Sequence, residues 1–155
     1  MFQQSSVTQA VDAPADAVWS VLGTGTDLHL YVGMITACEI DRAGALPSGV
    51  GARRTCHTAD GPLRERIETV DPETRTIQYS IRELPMPITD VLGTVRVRET
   101  GPETSEVTWS LNYEVAEEHA AMIDDLARAT YTDAIAGAER IARGENPAEA
   151  EIEVA

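Results

Sequence analysis

In this 155-residue chain, Arg54 and Glu65 are a basic and an acidic residue that the surrounding pattern brings to one interior face. Each falls in a short β-type run, Ala52 to Thr58 and Leu63 to Val70, divided by the turn signal Asp60-Gly61-Pro62. Residues two apart in a strand share a face. In the second run the choice is Leu63, Glu65, Ile67 and Thr69 against Arg64, Arg66, Glu68 and Val70, and the first set is the inward one. In the first run either Arg53, Thr55 and His57 or Arg54, Cys56 and Thr58 turn inward, and Cys56 favours the second set. An ion on the concave face without a partner costs several kcal/mol, so Arg54 and Glu65 are expected to pair. Two readings follow. In one, Arg54 snorkels to solvent at a cavity mouth and Glu65 merely satisfies it. In the other, the pair and bound water orient a polar group on an otherwise apolar ligand.

The same alternation turns Ile77, Tyr79 and Ile81 inward from the run Thr76 to Glu83, and Val107, Trp109, Leu111, Tyr113 and Val115 inward from Thr104 to Val115. An aromatic facing a core is more often packing than recognition. Three inward tyrosines, Tyr79, Tyr113 and Tyr131, nevertheless need hydrogen-bond partners, which a cavity holding water or a polar ligand supplies better than a dry core. Tyr31 and His29 are expected near one rim, with Met86 as an adaptable apolar lid in the stiff Pro85-Met86-Pro87 turn. The candidate ligand contacts are therefore Tyr31, Arg54, Cys56, Leu63, Glu65, Ile67, Tyr79, Met86, Trp109, Tyr113, Ile123, Ala127 and Tyr131.

The elements that position these residues are well marked. A strand from Gln4 to Val11 leads through Asp12-Ala13-Pro14, with Asp12 as N-cap candidate, into a helix around Trp19 that Gly23-Thr24-Gly25 stops. A second short helical piece is predicted over Asp27 to Val32. Six β-type runs follow: Ile35 to Asp41, Ala52 to Thr58, Leu63 to Val70, Thr76 to Glu83, Ile88 to Thr100 and Thr104 to Val115, an antiparallel meander. Ala116 to Arg143 reads as one long helix with an apolar stripe that includes Met122, Ile123, Leu126, Tyr131 and Ile135. Glu117 and Glu118 open it, Arg140 and Arg143 close it, and Gly144 stops it. Residues 1–144 are read as one domain, and 145–155 as an acidic, disordered tail.

Composition excludes several function classes. Twelve basic against 26 acidic residues give a formal charge of -14, which repels phosphate backbones and anionic membranes, so nucleic acid is not expected as a partner. No apolar run approaches a bilayer span and the N-terminus lacks a secretion-signal pattern, so no integral membrane association and a cytoplasmic location are expected; homodimer formation stays open. Cys38 and Cys56 lie on strand-like segments with no CxxC pair and no histidine at metal-ligand spacing, and buried free thiols are expected. No metal site and no cofactor are expected, and no Ser-His-Asp order, paired catalytic carboxylates or phosphate loop appears.

A strand, two short helices, a six-strand run and a long final helix is the order of the α+β helix-grip fold, in which a curved antiparallel sheet of about seven strands wraps around the last helix. The stretch Val11-Asp12-Ala13-Pro14-Ala15-Asp16-Ala17-Val18-Trp19, with Gly49-Val50-Gly51-Ala52-Arg53-Arg54, Glu65-Arg66-Ile67, Asp71, Tyr79 and Trp109, resembles the SRPBCC superfamily of START lipid-transfer, birch-pollen-allergen-like and polyketide cyclase proteins over roughly Ser5 to Arg143. Arg53 to Thr94 is most similar to the group containing the plant abscisic-acid receptors. Their gating Gly-Leu-Pro-type turn is matched by Asp60-Gly61-Pro62-Leu63 with Pro and Leu exchanged; their His-Arg-Leu latch by Leu84-Pro85-Met86-Pro87; their hormone-holding lysine by Thr36. A receptor for that hormone is not implied.

The resemblance implies a cavity for a small hydrophobic molecule of lipid, polyketide or terpenoid type, held by a carrier. The alternative is a cyclase or dehydratase, with Glu65 as general base, Arg54 as stabiliser of a developing enolate oxygen and Tyr79 or Tyr113 as proton donor. A protein-interaction module is a third class, since the superfamily hosts many functions on one scaffold.

Overall fold

The computed structural model describes residues 1–145; residues 146–155, most of the expected acidic tail, lie outside the described residues. The alternating segments form seven strands: β1 (Phe2–Val11), β2 (Ala37–Asp41), β3 (Arg53–Thr58), β4 (Gly61–Asp71), β5 (Thr76–Glu83), β6 (Ile88–Gly101) and β7 (Thr104–Val115). Helix α1 (Ala15–Leu22) follows β1 and helix α2 (Glu117–Ala142) closes the order. One antiparallel sheet runs β1-β7-β6-β5-β4-β3-β2, so the first strand lies beside the last and β2 is an edge. Register shifts in β4 against β5, at Arg64/Glu65 and Ile67/Thr69, and in β6 against β7 add the local bends that curve a sheet. The concave face meets α2, which buries Ile123, Ala127, Tyr131, Ala134, Ile135 and Ala138. This is the α+β helix-grip architecture. Among the described residues no helix is long and apolar enough to cross a membrane.

Helix α2 is seated by polar contacts at both ends. Tyr113 Oη shares hydrogen bonds with Ser5 Oγ (2.7 Å) and Gln3 Nε2 (2.6 Å); Ser5 also donates to Asp124 Oδ1 (2.7 Å) and Gln3 to the Ala120 carbonyl (2.8 Å). At the other end the Asp12 N–H donates to Glu139 Oε2 (2.7 Å), and Arg143 reaches the Asp12 carboxylate (2.6 Å). Gly144, at φ 86, takes the left-handed turn that ends the helix. Near that same end, the Tyr31 backbone packs so closely on Gly137 that a Cβ there would lie 3.0 Å from it.

Five local expectations are corrected. Asp12 does not cap α1: Pro14 holds the N-cap position, and Asp12 is spent on α2. The second short helix is a single 3₁₀ turn, Leu28–Leu30, because Asp27 enters it in the left-handed region (φ 60) and Tyr31 leaves helical geometry at once. Met122 is 54% exposed and lies off the buried stripe, since it sits one residue before Ile123 and so about 100° away around the helix. Cys38 and Cys56 are not free thiols: they stand directly opposite each other in the β2–β3 register, with Cα atoms 4.2 Å apart, and form a disulfide. That spacing is typical of a non-hydrogen-bonded antiparallel pair, where facing side chains approach most closely. The turn expected over Asp60 to Pro62 is also tighter than its sequence suggests, for Gly61 and Pro62 already pair in β4.

Candidate functional site

The inward strand faces are those that alternation assigns, except at the end of β4: the register shift after Ile67 sets Thr69 opposite outward Gln78, to which it donates, and Val70 opposite buried Ile77, so Val70 rather than Thr69 packs against the core. Leu63, Glu65 and Ile67 are buried on β4, Arg54 and Cys56 on β3, and Ile77 and Tyr79 on β5. Arg54 stands opposite Glu65 in register, and its Nε donates to Glu65 Oε2, with both side chains 3% exposed. Its Nη1 donates to the Gly25 carbonyl (2.8 Å), which ties β3 to the loop after α1. Its Nη2 is buried with no acceptor among the described residues. The guanidinium lies over the Tyr79 ring, 4.7 Å from the centroid, a cation–π contact in a desolvated place.

Tyr79 extends this polar group into an aromatic one. Trp109 Nε1 donates to Tyr79 Oη (2.9 Å), and Tyr131 Oη lies 3.4 Å from the same oxygen. Trp109 and Tyr131 stack with centroids 4.7 Å apart and planes 10° from parallel. Gly93 on β6 makes room for the Tyr79 ring, since a Cβ there would fall 2.1 Å from Tyr79 Cζ.

Burial pushes the Glu65 carboxyl above the ordinary carboxylate range, against the pull of the Arg54 guanidinium. Burial works to lower the Arg54 value, but the Glu65 charge and hydrogen bond outweigh it and Arg54 stays protonated. Burial likewise raises Tyr31, Tyr79 and Tyr131, so all three remain hydroxyls at neutral pH.

Between this cluster and α2 lies a cavity. Water centres fit in about 70 Å³ of it, inside about 630 Å³ of void that includes the open side. That is room for a few waters, so a larger ligand must displace wall side chains. Leu126, 40% exposed, and the half-buried Met34, Ile81, Leu84 and Met86 are the least buried apolar residues of the wall. The walls are apolar except for Glu65, the hydroxyls of Tyr79, Tyr131 and half-buried Thr130, and the Trp109 N–H.

Of the candidate contacts, Leu63, Glu65, Tyr79, Met86, Trp109, Ile123, Ala127 and Tyr131 line the cavity. Tyr31, Arg54, Cys56 and Ile67 are buried but are not among the wall residues. Tyr113 is away from it: its hydroxyl is used by Ser5 and Gln3 under the start of α2, which removes it as a proton donor to the cavity. The sequence reading missed Leu28, Val32, Met34 and Ile35, together with Ile81, Leu84, Ile88, Leu111, Leu126 and Thr130 as wall residues. Leu111 carried a signal, its inward alternation; the stretch from Leu28 to Ile35 has no repeating pattern to reveal a face.

Comparison with known proteins agrees with this geometry. The family model described as polyketide cyclase / dehydrase and lipid transport matches residues 3–143. No curated protein matches significantly. Among solved structures, protein XoxI from Bacillus cereus is similar at 24% identity, covering 89% of this chain and 94% of its own, with a TM-score of 0.77. A solution structure from Thermobifida fusca aligns at 21% identity over 90% and 92%, with a TM-score of 0.80. A norcoclaurine synthase point mutant from Thalictrum flavum, in complex with a transition-state analogue, aligns at 21% identity over 93% and 96%, with a TM-score of 0.70. These likenesses show the shared fold, and the family match spans nearly the whole chain: it belongs to the polyketide cyclase / dehydrase and lipid transport family, within the birch-pollen-allergen-like SRPBCC superfamily.

Proposed function

We propose that this protein binds a small, largely apolar ligand of lipid, polyketide or terpenoid type in the cavity between the sheet and α2. The observation that carries the reading is the single charged wall residue, Glu65, set in an apolar lining and backed by Arg54. Ligand pockets characteristically combine apolar walls with a few placed polar groups. A core without a ligand has no need of this ion pair, since a buried pair is often replaceable by apolar residues without loss.

The second reading is a cyclase or dehydratase acting in the same cavity. The family description and the Glu65 carboxyl, raised by burial and facing the void, favour it. A carboxylate raised by burial is a stronger base than an exposed one, which suits it to proton removal. Glu65 serves there as base, with Arg54 holding it and supporting developing negative charge.

The test is uptake of the uncharged fluorophore N-phenyl-1-naphthylamine by the wild type and by Ala127→Trp, whose indole fills the space beside Ile123 and Tyr131. Saturable uptake by the wild type, lost in the variant, supports the cavity; equal uptake by both, or none by either, overturns it. Native mass spectrometry of protein purified from a bacterial host then reads the class of any retained compound. Ligand recovered unchanged supports the carrier, and turnover lost in a folded Glu65→Gln variant supports the enzyme.

The place where the protein works is a proposal of the same kind. A disulfide between β2 and β3 favours an oxidising compartment over the reducing cytoplasm. Thiol counting with an alkylating reagent in freshly lysed cells decides it: two labelled cysteines mean a reducing compartment, none an oxidising one.

A further inference from the structure

The hydroxyls on the cavity wall are not equivalent, and counting their protons separates them. Trp109 Nε1 can only donate, so its 2.9 Å bond makes Tyr79 Oη an acceptor there. Tyr79 still carries one proton. It is 4% exposed, and the one acceptor within reach among the described residues is Tyr131 Oη, 3.4 Å away. Both hydroxyls lie on the cavity wall, but Tyr79 Oη is already held at 2.9 Å by Trp109, whereas Tyr131 Oη has no other partner among the described residues than this long contact. In the order Trp109 to Tyr79 to Tyr131 the better-held hydroxyl keeps its proton on the protein, and the Tyr131 proton is left free on a residue that lines the cavity. The 3.4 Å contact is long for two hydroxyls, so Tyr131 gains little from its protein partner and has most to gain from a ligand.

Glu65 offers the complement. Oε2 accepts from Arg54, whereas Oε1 accepts nothing from the described residues and is not among the enclosed, unpartnered atoms, so it meets the void that Glu65 lines. Tyr79, gripped by Trp109 above Gly93 and covered by Arg54, holds its place on the sheet.

Resting on the cavity reading above, we infer that Tyr131 is the hydrogen-bond donor that selects the ligand, paired with Glu65 Oε1 as acceptor, and that Tyr79 is a positioning residue. The ligand class this selects is an apolar skeleton bearing an oxygen that accepts from Tyr131 and a hydroxyl that donates to Glu65. A phenol or an enol can meet both needs through one oxygen when it bridges the two residues, and a hydroxy ketone can do so through two.

Three naphthalenes of similar shape test this by titration calorimetry: naphthalene itself, 2-methoxynaphthalene (acceptor only) and 2-naphthol (donor and acceptor). The wild type is expected to bind 2-naphthol most tightly and naphthalene least. Each protein hydrogen bond to a ligand of this kind is worth roughly fivefold in affinity. Tyr131→Phe keeps the ring stacked on Trp109, and it should lower affinity for both oxygenated probes by about that factor while naphthalene affinity stays unchanged. Glu65→Gln should lower affinity for 2-naphthol alone. Tyr79→Phe should leave most of the preference for oxygenated probes in place, because the Tyr131 proton survives. A preference that persists in Tyr131→Phe and vanishes in Tyr79→Phe overturns the assignment. Equal binding of all three probes by the wild type overturns the inference but leaves the cavity reading intact, whereas no binding of any of them, by the wild type or a variant, overturns both.

Discussion

Arg54 and Glu65 face each other across β3 and β4, in register and out of contact with solvent, so neither charge can be removed without stranding the other. Arg54→Ala should therefore destabilise the fold by about 3–5 kcal/mol, the usual cost of leaving a buried charge unpaired. The paired change Arg54→Met with Glu65→Leu should recover most of that loss. Urea unfolding of the three proteins measures both; a loss under about 1 kcal/mol in the single variant would show that water already reaches the pair.

The pH dependence of stability follows from the raised Glu65 carboxyl, and its sign is definite. Burial makes the folded state hold this proton more tightly than the unfolded chain does. The contribution is therefore fully present below the ordinary carboxylate range and is lost as pH rises through the raised folded value. Glu65→Gln removes the titration with little change of shape. The stability of the wild type minus that of the variant should thus fall as pH rises from the ordinary carboxylate range toward neutrality. A difference that grows over that interval would mean that Arg54 outweighs burial.

Gly93→Ala separates packing from backbone entropy. In an open strand the added methyl stabilises by about 0.5–1 kcal/mol, because glycine loses more freedom on folding. Here a Cβ would fall 2.1 Å from Tyr79 Cζ, so the ring must move and strain its bond from Trp109. A net loss of about 1–3 kcal/mol is expected, with altered near-ultraviolet circular dichroism from Trp109.

Reduction of the Cys38–Cys56 disulfide reopens a loop between residues 18 apart in sequence. A closed loop of that length stabilises by about 3 kcal/mol in the chain-entropy model. β2 is a five-residue edge strand, so the loss should be felt there first. Thermal melts with and without a dithiol reductant should differ by that free energy, and amide exchange should rise in Ala37–Asp41 before the rest of the sheet. Equal melts would show that strand pairing alone holds the edge.

The order of the elements, the inward sets on β3, β5, β7 and on β4 as far as Ile67, and the expected meeting of Arg54 with Glu65 were legible in the sequence, because strand alternation and turn residues are local properties read within a few positions; the bulge after Ile67, which exchanges Thr69 and Val70, was not. The family resemblance was legible for the same reason, as short motifs spaced along the chain. Other features depend on residues far apart in sequence, and only the tertiary structure decided them. The disulfide needed the exact β2–β3 register, which a one-residue slip would have abolished. Tyr113 and Tyr131 look alike in sequence, yet Ser5 and Gln3 from β1 claim the first hydroxyl while the second is left facing the cavity. Glu65 and Arg54 are a pair in sequence logic, but their surroundings are not: the Gly25 carbonyl, the Tyr79 ring and the apolar wall from Leu28 to Ile35 come from other segments. Hydrogen-bond direction and burial belong to the assembled neighbourhood rather than to any residue, which is why the chain's own pattern foretold the fold and left the donor of the site to be chosen by packing.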